Sequence, residues 1–122
     1  MHKRPLTDLQ QAILDVVWTR GPSTADEVRM ALQPKHRLKD SSIRTLLRRL
    51  EARGFLTHDV EGQVFVYRAA IAQGSVGARA VQQIIERFWS GSVEQFLAGM
   101  VDEKVLTAAE IERLARKIRR QK

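Results

Sequence analysis

Between Lys39 and Leu56 the chain reads KDSSIRTLLRRLEARGFL, with serine, threonine and arginine set between aliphatic residues. At about 100° per residue, Ile43, Leu46, Leu47 and Leu50 share one sector about 100° wide, enough to seat a helix on a core. Ser41, Thr45, Arg48 and Ala52 then lie nearly opposite, Arg44 and Arg49 flank them, and Ser42 sits near the N-terminal end. The DNA major groove, about 12 Å wide, accepts a helix of this kind, with base edges in front and phosphates on both sides. Short Ser41 and Thr45 allow close approach, Arg48 has the length for a two-pronged contact with guanine, and Arg44 and Arg49 can reach phosphates. A solvated charged face is the bland alternative for any single basic helix, so the neighbouring elements decide.

Thr7 with Gln10 forms a capping box ahead of Leu9, Ile13, Val16 and Val17, and Gly21-Pro22 stops the run, so a first helix is expected over about Asp8–Arg20. Thr24 with Glu27 repeats the box before a second helix of about three turns, with Val28 and Leu32 inside and Pro34 after its end. Asp40 is the expected cap of the third helix and Gly54 its left-handed terminator. FLTHDV and QVFVYR, rich in β-branched and aromatic residues, then flank Glu61-Gly62 as a hairpin with a tight turn. A short helix, a turn, a basic helix and a hairpin are the order of a winged helix-turn-helix domain. The hairpin, or wing, lies along the adjacent backbone in that arrangement. Glu61 makes its turn acidic, so contact is expected from backbone N–H groups, Gln63 or Arg68.

Gly74 and Gly77 bracket a cap-like Ser75, and AAIAQGSVGA is the expected hinge to a second, helical half. There Val81, Ile84, Ile85 and Phe88 share one stripe, and Val93, Phe96, Leu97, Met100 and Val101 share another behind a Ser92/Gln95 cap. Thr107 and Glu110 box a last helix carrying Ile111, Leu114, Ala115 and Ile118. Three such stripes exceed what one small winged domain needs to cover, and a second copy of the chain is the natural place to bury them. The fold class is therefore mainly α with a small β-hairpin wing: a winged helix-turn-helix domain over residues 1–70 and C-terminal dimerisation helices over residues 71–122. The dimerisation set is Val81, Ile84, Ile85, Phe88, Val93, Phe96, Leu97, Met100, Ile111 and Leu114.

Composition agrees with a nucleic-acid partner. The net charge is +7 over 122 residues with a pI near 10.6, a balance that attracts polyanions. Arg37, Lys39, Arg44, Arg48, Arg49 and Arg53 face only Asp40 and Glu51 in their stretch, and Arg113–Lys122 contains no acid. The last cluster is read as a solvated helix end that adds non-specific affinity for DNA, being too thinly apolar to anchor in a membrane. Absence of cysteine excludes disulfides and thiolate metal sites. No run of about 18 apolar residues occurs, so a soluble cytoplasmic protein without a membrane partner is expected. His2, His36 and His58 are too scattered for a metal motif and are read as exposed or turn residues; no metal and no cofactor are assigned. Trp18, Phe88 and Trp89 are read as core or interface anchors, and Phe65 and Tyr67 as sheet packing. No phosphate loop, nucleophile elbow or HExxH is present, so an enzyme is not expected.

The segments LTDLQQAILDVVWTRGPSTADEVRMAL, SSIRTLLRRLEARGFLTHDVEGQVFVY and GSVEQFLAGMVDEKVLTAAEIERL together resemble the penicillinase-repressor family, which includes the β-lactamase and methicillin-resistance repressors. Leu6-Thr7, Trp18, IRTLLRRLEARG, Tyr67 and Gly91-Ser92 before VEQFLAGMVDE carry the likeness in order and spacing across nearly the whole chain. The resemblance implies a winged-helix domain on double-stranded operator DNA, a homodimer joined by C-terminal helices, and blocked transcription. A copper-responsive branch binds metal through a cysteine-rich tail, which this chain lacks. In the penicillinase branch a membrane sensor leads to a cut at an Asn-Phe pair; this chain has no asparagine, so induction by that cut is not expected, and any sensor or protease is left unassigned. The family often has Arg at the place of Gln63 and Pro at that of Ala69, which points to weaker or shifted wing contacts here. The alternative is an adaptor or architectural protein whose winged fold binds a protein partner, RNA or DNA non-specifically.

Overall fold

A computed structural model describes residues 4–121, so His2 and Lys122 lie outside the described residues. The elements are α1 (Asp8–Arg20), β1 (Ser23–Thr24), α2 (Ala25–Leu32), α3 (Asp40–Ala52), β2 (Leu56–Glu61), β3 (Val64–Ala69), α4 (Gln73–Trp89), α5 (Val93–Asp102) and α6 (Ala108–Arg120). Thr7, Thr24 and Thr107 each accept the backbone N–H three residues on, and Gln10, Glu27 and Glu110 reach back to the cap amide. These reciprocal bonds satisfy amides that the first turn of a helix leaves without partners. Ser92 Oγ likewise accepts the Gln95 N–H at 3.1 Å to open α5.

α3 begins differently from expectation. Lys39 holds the cap position without a side-chain hydrogen bond, and Asp40 is already helical. The Asp40 carboxylate pairs along the helix with Arg44 Nε at 3.0 Å, so it serves one turn onward rather than as a cap. α2 is eight residues long, shorter than three turns. The chain leaves the helix at Gln33 (φ −79°, ψ 150°), directly before Pro34, whose nitrogen cannot continue the ladder. Gly54 ends α3 at φ +86°, a conformation that a Cβ would strain.

The sheet has the order β1-β3-β2, antiparallel throughout. β1 pairs Ser23 with Tyr67 and Thr24 with Val66, a third strand that the sequence reading did not anticipate. The hairpin register runs from Leu56↔Ala69 to Glu61↔Val64, so the turn is Gly62-Gln63, one residue beyond the expected Glu61-Gly62. Register has a physical consequence, because a slip of one residue would turn Leu56 and Tyr67 out of the core.

Two compact units divide the chain between Gly77 and Ala78. In the first, Ile13, Leu14 and Val17 of α1 meet Val28 and Leu32 of α2, Ile43, Leu47 and Leu50 of α3, and Leu56 and Tyr67 of the hairpin. Leu46 and Trp18 pack against this core while remaining half-buried, and the Trp18 indole N–H donates to the Ile71 carbonyl at 3.1 Å. Of the segment expected as a hinge, residues 70–72 are non-helical, whereas Gly74, Ser75 and Gly77 lie within the first turns of α4 and Val76 is buried. In the second unit Trp89 meets Phe96 edge-on at 5.2 Å. Gly99 makes that approach feasible, since a Cβ there would stand 3.2 Å from the indole nitrogen. No helix among the described residues is long and apolar enough to cross a membrane.

Candidate nucleic-acid interface

α3 is held by its inner face, where Ile43, Leu47 and Leu50 are fully buried. Its outer face carries the residues singled out from the sequence. Ser41, Arg44, Arg48 and Arg49 are exposed, while Ser42 and Thr45 are half-buried. Along the ridge the Thr45 hydroxyl donates to the Ser41 carbonyl at 3.0 Å and accepts Arg48 Nη2 at 3.5 Å. Thr45 thus has its single donor committed to the backbone, and Arg48 keeps most of its fork available. Among the described residues Arg44 is paired only with exposed Asp40, an ion pair weak enough to be exchanged for a phosphate. Arg49 has no ion pair among the described residues.

Arg53, the last cation of the stretch, has a structural task. Its guanidinium donates to Gln10 Oε1 at 3.3 Å and to the Arg4 carbonyl, and it stands 5.1 Å from the centre of the Phe55 ring. It ties the end of α3 to α1.

A groove of about 540 Å³ runs between the start of α2, α3 and the wing, and its walls include Thr24, Arg44, Arg48, Gln63, Phe65 and Tyr67. The fold therefore brings Arg44 and Arg48 of α3 together with Gln63 of the wing turn. Arg68 is not among the residues lining this groove. Its Nε lies 2.6 Å from Asp59 Oδ2, and its Nη2 3.9 Å from Glu61 Oε2, so two carboxylates of the hairpin engage it.

His58 is also placed differently from the sequence reading. It is neither a turn residue nor freely exposed: it sits on β2, with Nδ1 2.7 and 2.9 Å from the two carboxylate oxygens of Glu51 on α3. Its ring stacks on Phe65 at 4.1 Å and 11°, and leans on Tyr67 at 5.7 Å. Burial, reinforced by the Glu51 charge and opposed by Arg48 and Arg44, pushes the Tyr67 phenol above its usual range. The phenol stays neutral beside the arginines. Only the strand register brings His58 to Glu51, and no local sequence signal marked the pair.

The expected dimerisation residues fall into three classes of exposure. Val81, Ile84, Phe88, Val93 and Leu114 are exposed, Phe96, Leu97, Met100 and Ile111 are half-buried, and Ile85 is buried. Among the described residues no group of three or more His, Asp or Glu side chains converges as a metal site would require.

A family model described as penicillinase repressor matches residues 6–120. The penicillinase repressor of Bacillus licheniformis is 27% identical over 115 residues, covering 93% of this chain and 90% of its own. The methicillin resistance regulatory protein MecI of Staphylococcus aureus (strain N315) is 20% identical over 109 residues, 89% of either chain. The solution structure of monomeric Bacillus licheniformis BlaI in complex with the blaP half-operator superposes with a TM-score of 0.50 at 31% identity, over 61% of this chain and 92% of that one. With its three-stranded wing, its basic α3 and a family match spanning nearly its whole length, the chain belongs to the penicillinase repressor family of winged-helix, DNA-binding transcriptional repressors.

Proposed function

We propose that this repressor works in the cytoplasm as a homodimer on a two-fold symmetric operator, with residues 1–70 contacting DNA and residues 71–122 joining the protomers. Each protomer lays α3 in a major groove and its wing on the adjoining backbone. The observation that carries this reading is the shared groove of Arg44, Arg48 and Gln63, which joins helix and wing on one solvent-open side. Ser41 and Thr45 allow the ridge to approach base edges, and Arg48 takes the guanine. Ser42, Arg44, Arg49 and Gln63 hold the backbone and set the register. The half-operator bound by BlaI supports one half-site per protomer.

Dimerisation rests on Val81, Ile84, Phe88, Val93 and Leu114, whose exposed apolar surface suits an isologous contact with a second copy. Ile85 is buried and Phe96, Leu97, Met100 and Ile111 are half-buried, so they would add less surface to that contact. Two α3 helices about 34 Å apart would then meet successive turns of one duplex face. A dimer seated there excludes other proteins from the same DNA.

The test is selection of tightly bound duplexes from a random pool by the full chain at about 0.15 M salt, where non-specific attraction is partly screened. An inverted repeat bound roughly a thousandfold more tightly than scrambled duplex is expected. Recovery without sequence preference would overturn the reading in favour of an adaptor or architectural role.

A further inference from the structure

The wing touches α3 through few side chains, and one polar pair stands out among them. Leu56 at the base of β2 is buried in the core, and His58 follows on the same face, facing Glu51 of α3. Beyond His58, Val60 and Phe65 are exposed on that face. On the opposite face Arg68 lies against Asp59 and Glu61, and the ladder from Leu56↔Ala69 to Glu61↔Val64 braces the hairpin as one piece. A braced hairpin held near its base behaves as a lever. From His58 to Glu61 is three residues, about 10 Å at strand rise, so a rotation of about 20° at His58 moves the tip by about 3–4 Å. That displacement is enough to break any hydrogen bond made by Gln63.

The Glu51 carboxylate can only accept, so His58 Nδ1 carries the proton and donates to it. The imidazole is further fixed by its stack on Phe65, which places the ring between α3 and β3. We infer that the Glu51–His58 pair is a clamp that sets the angle between recognition helix and wing, making His58 a positioning residue for operator binding. The inference rests on the proposed wing contact. His58 itself touches no DNA in this scheme; it acts through the placement of Gln63.

The test uses the full chain and the selected operator, with His58→Ala and Glu51→Ala attacking the clamp from its two sides and His58→Gln restoring a donor to Glu51. Operator affinity is measured beside 15N relaxation of Gly62 and Gln63 in the free protein, including dispersion to reach slower motions. Both alanine variants are expected to weaken operator binding about tenfold, the size of one charge-assisted hydrogen bond, and to loosen the tip amides. His58→Gln is expected to recover most of both. Tip amides as ordered as in the wild type, or affinity lost without tip loosening, would overturn the clamp. Loosened tips with unchanged affinity would also overturn it, and would remove the wing from the DNA contact while leaving α3 as the binding element. Failure of the selection to return any operator is a separate result, which removes the DNA reading itself.

Discussion

Up to Gly77, side chains from three helices meet so closely that Ile13, Leu14, Val28, Ile43, Leu47 and Leu50 are completely buried. From Ala78 onward only Ile85 among the described apolar side chains is buried, while Phe88 keeps 67% of its surface and Leu114 keeps 56%. Both units contain capped helices, α1 and α2 in the first and α5 and α6 in the second, so helix formation does not separate them. Cover does. The first unit supplies both sides of its core, whereas the second presents stripes whose burial, at about 1.5–3 kcal/mol per large side chain, awaits another surface. The proposed dimer would account for this difference, with a self-sufficient unit on the DNA and a second unit completed by its copy.

Substitutions in the two units are expected to act on different equilibria. Leu47→Ala is expected to lower the unfolding free energy by about 2–5 kcal/mol, read by chemical denaturation. A loss below about 0.5 kcal/mol, the scale of a surface change, would show that the inner face of α3 is not core. Phe88→Asp is expected to leave the unfolding of the first unit nearly unchanged and to raise the dimer dissociation constant about a hundredfold, as for an interface hot spot. Sedimentation equilibrium measures this, and an unaltered association would move the dimer contact away from α4.

Within the first unit, two arginines one residue apart sharpen the division between base reading and backbone grip. Arg48→Ala is expected to cost about 1–3 kcal/mol and to relax one base preference. Arg49→Ala weakens every sequence alike and flattens the salt slope by about one unit. Equal losses on operator and scrambled duplex for Arg48→Ala would refute its base-reading role.

The smallest effects lie at the caps. Thr24→Ala is expected to destabilise by about 1 kcal/mol, measured by thermal unfolding; no change would mean that α2 is held by packing alone. The Thr24 backbone N–H, helped by its hydroxyl and by Arg20, holds the Glu27 carboxyl below its ordinary range. A depressed carboxyl stabilises the fold above its unfolded value and loses that contribution as pH falls. The stability advantage of wild type over Glu27→Gln is therefore expected to shrink as pH falls below the ordinary carboxylate range, and an advantage that grew in acid would contradict the cap.

Local chemistry explains what could be read in advance. Capping needs partners three residues apart, so Thr7/Gln10, Thr24/Glu27 and Thr107/Glu110 were visible as spacing alone. The common face of Ser41, Thr45 and Arg48 follows from helical period in the same way. Features requiring distant residues were not legible. β1 is two residues whose pairing to Tyr67 and Val66 depends on the fold, and His58 meets Glu51 only after β2 has returned past α3. The pairing of Arg68 with Asp59 likewise depends on the hairpin register. Asp40 had a choice that spacing could not settle, between capping α3 and pairing with Arg44 one turn on. At Gly74 and Gly77, residues that favour a break sit inside α4, where burial of Val76 holds the helix against their weak propensity.

The division between a DNA-contacting unit and a unit completed by its copy is tested most directly by sedimentation of the full chain, free and on a duplex carrying the selected inverted repeat. A dimer in solution at micromolar concentration and two chains on each duplex are predicted. A monomer in solution that remains a single chain on the full repeat would contradict it.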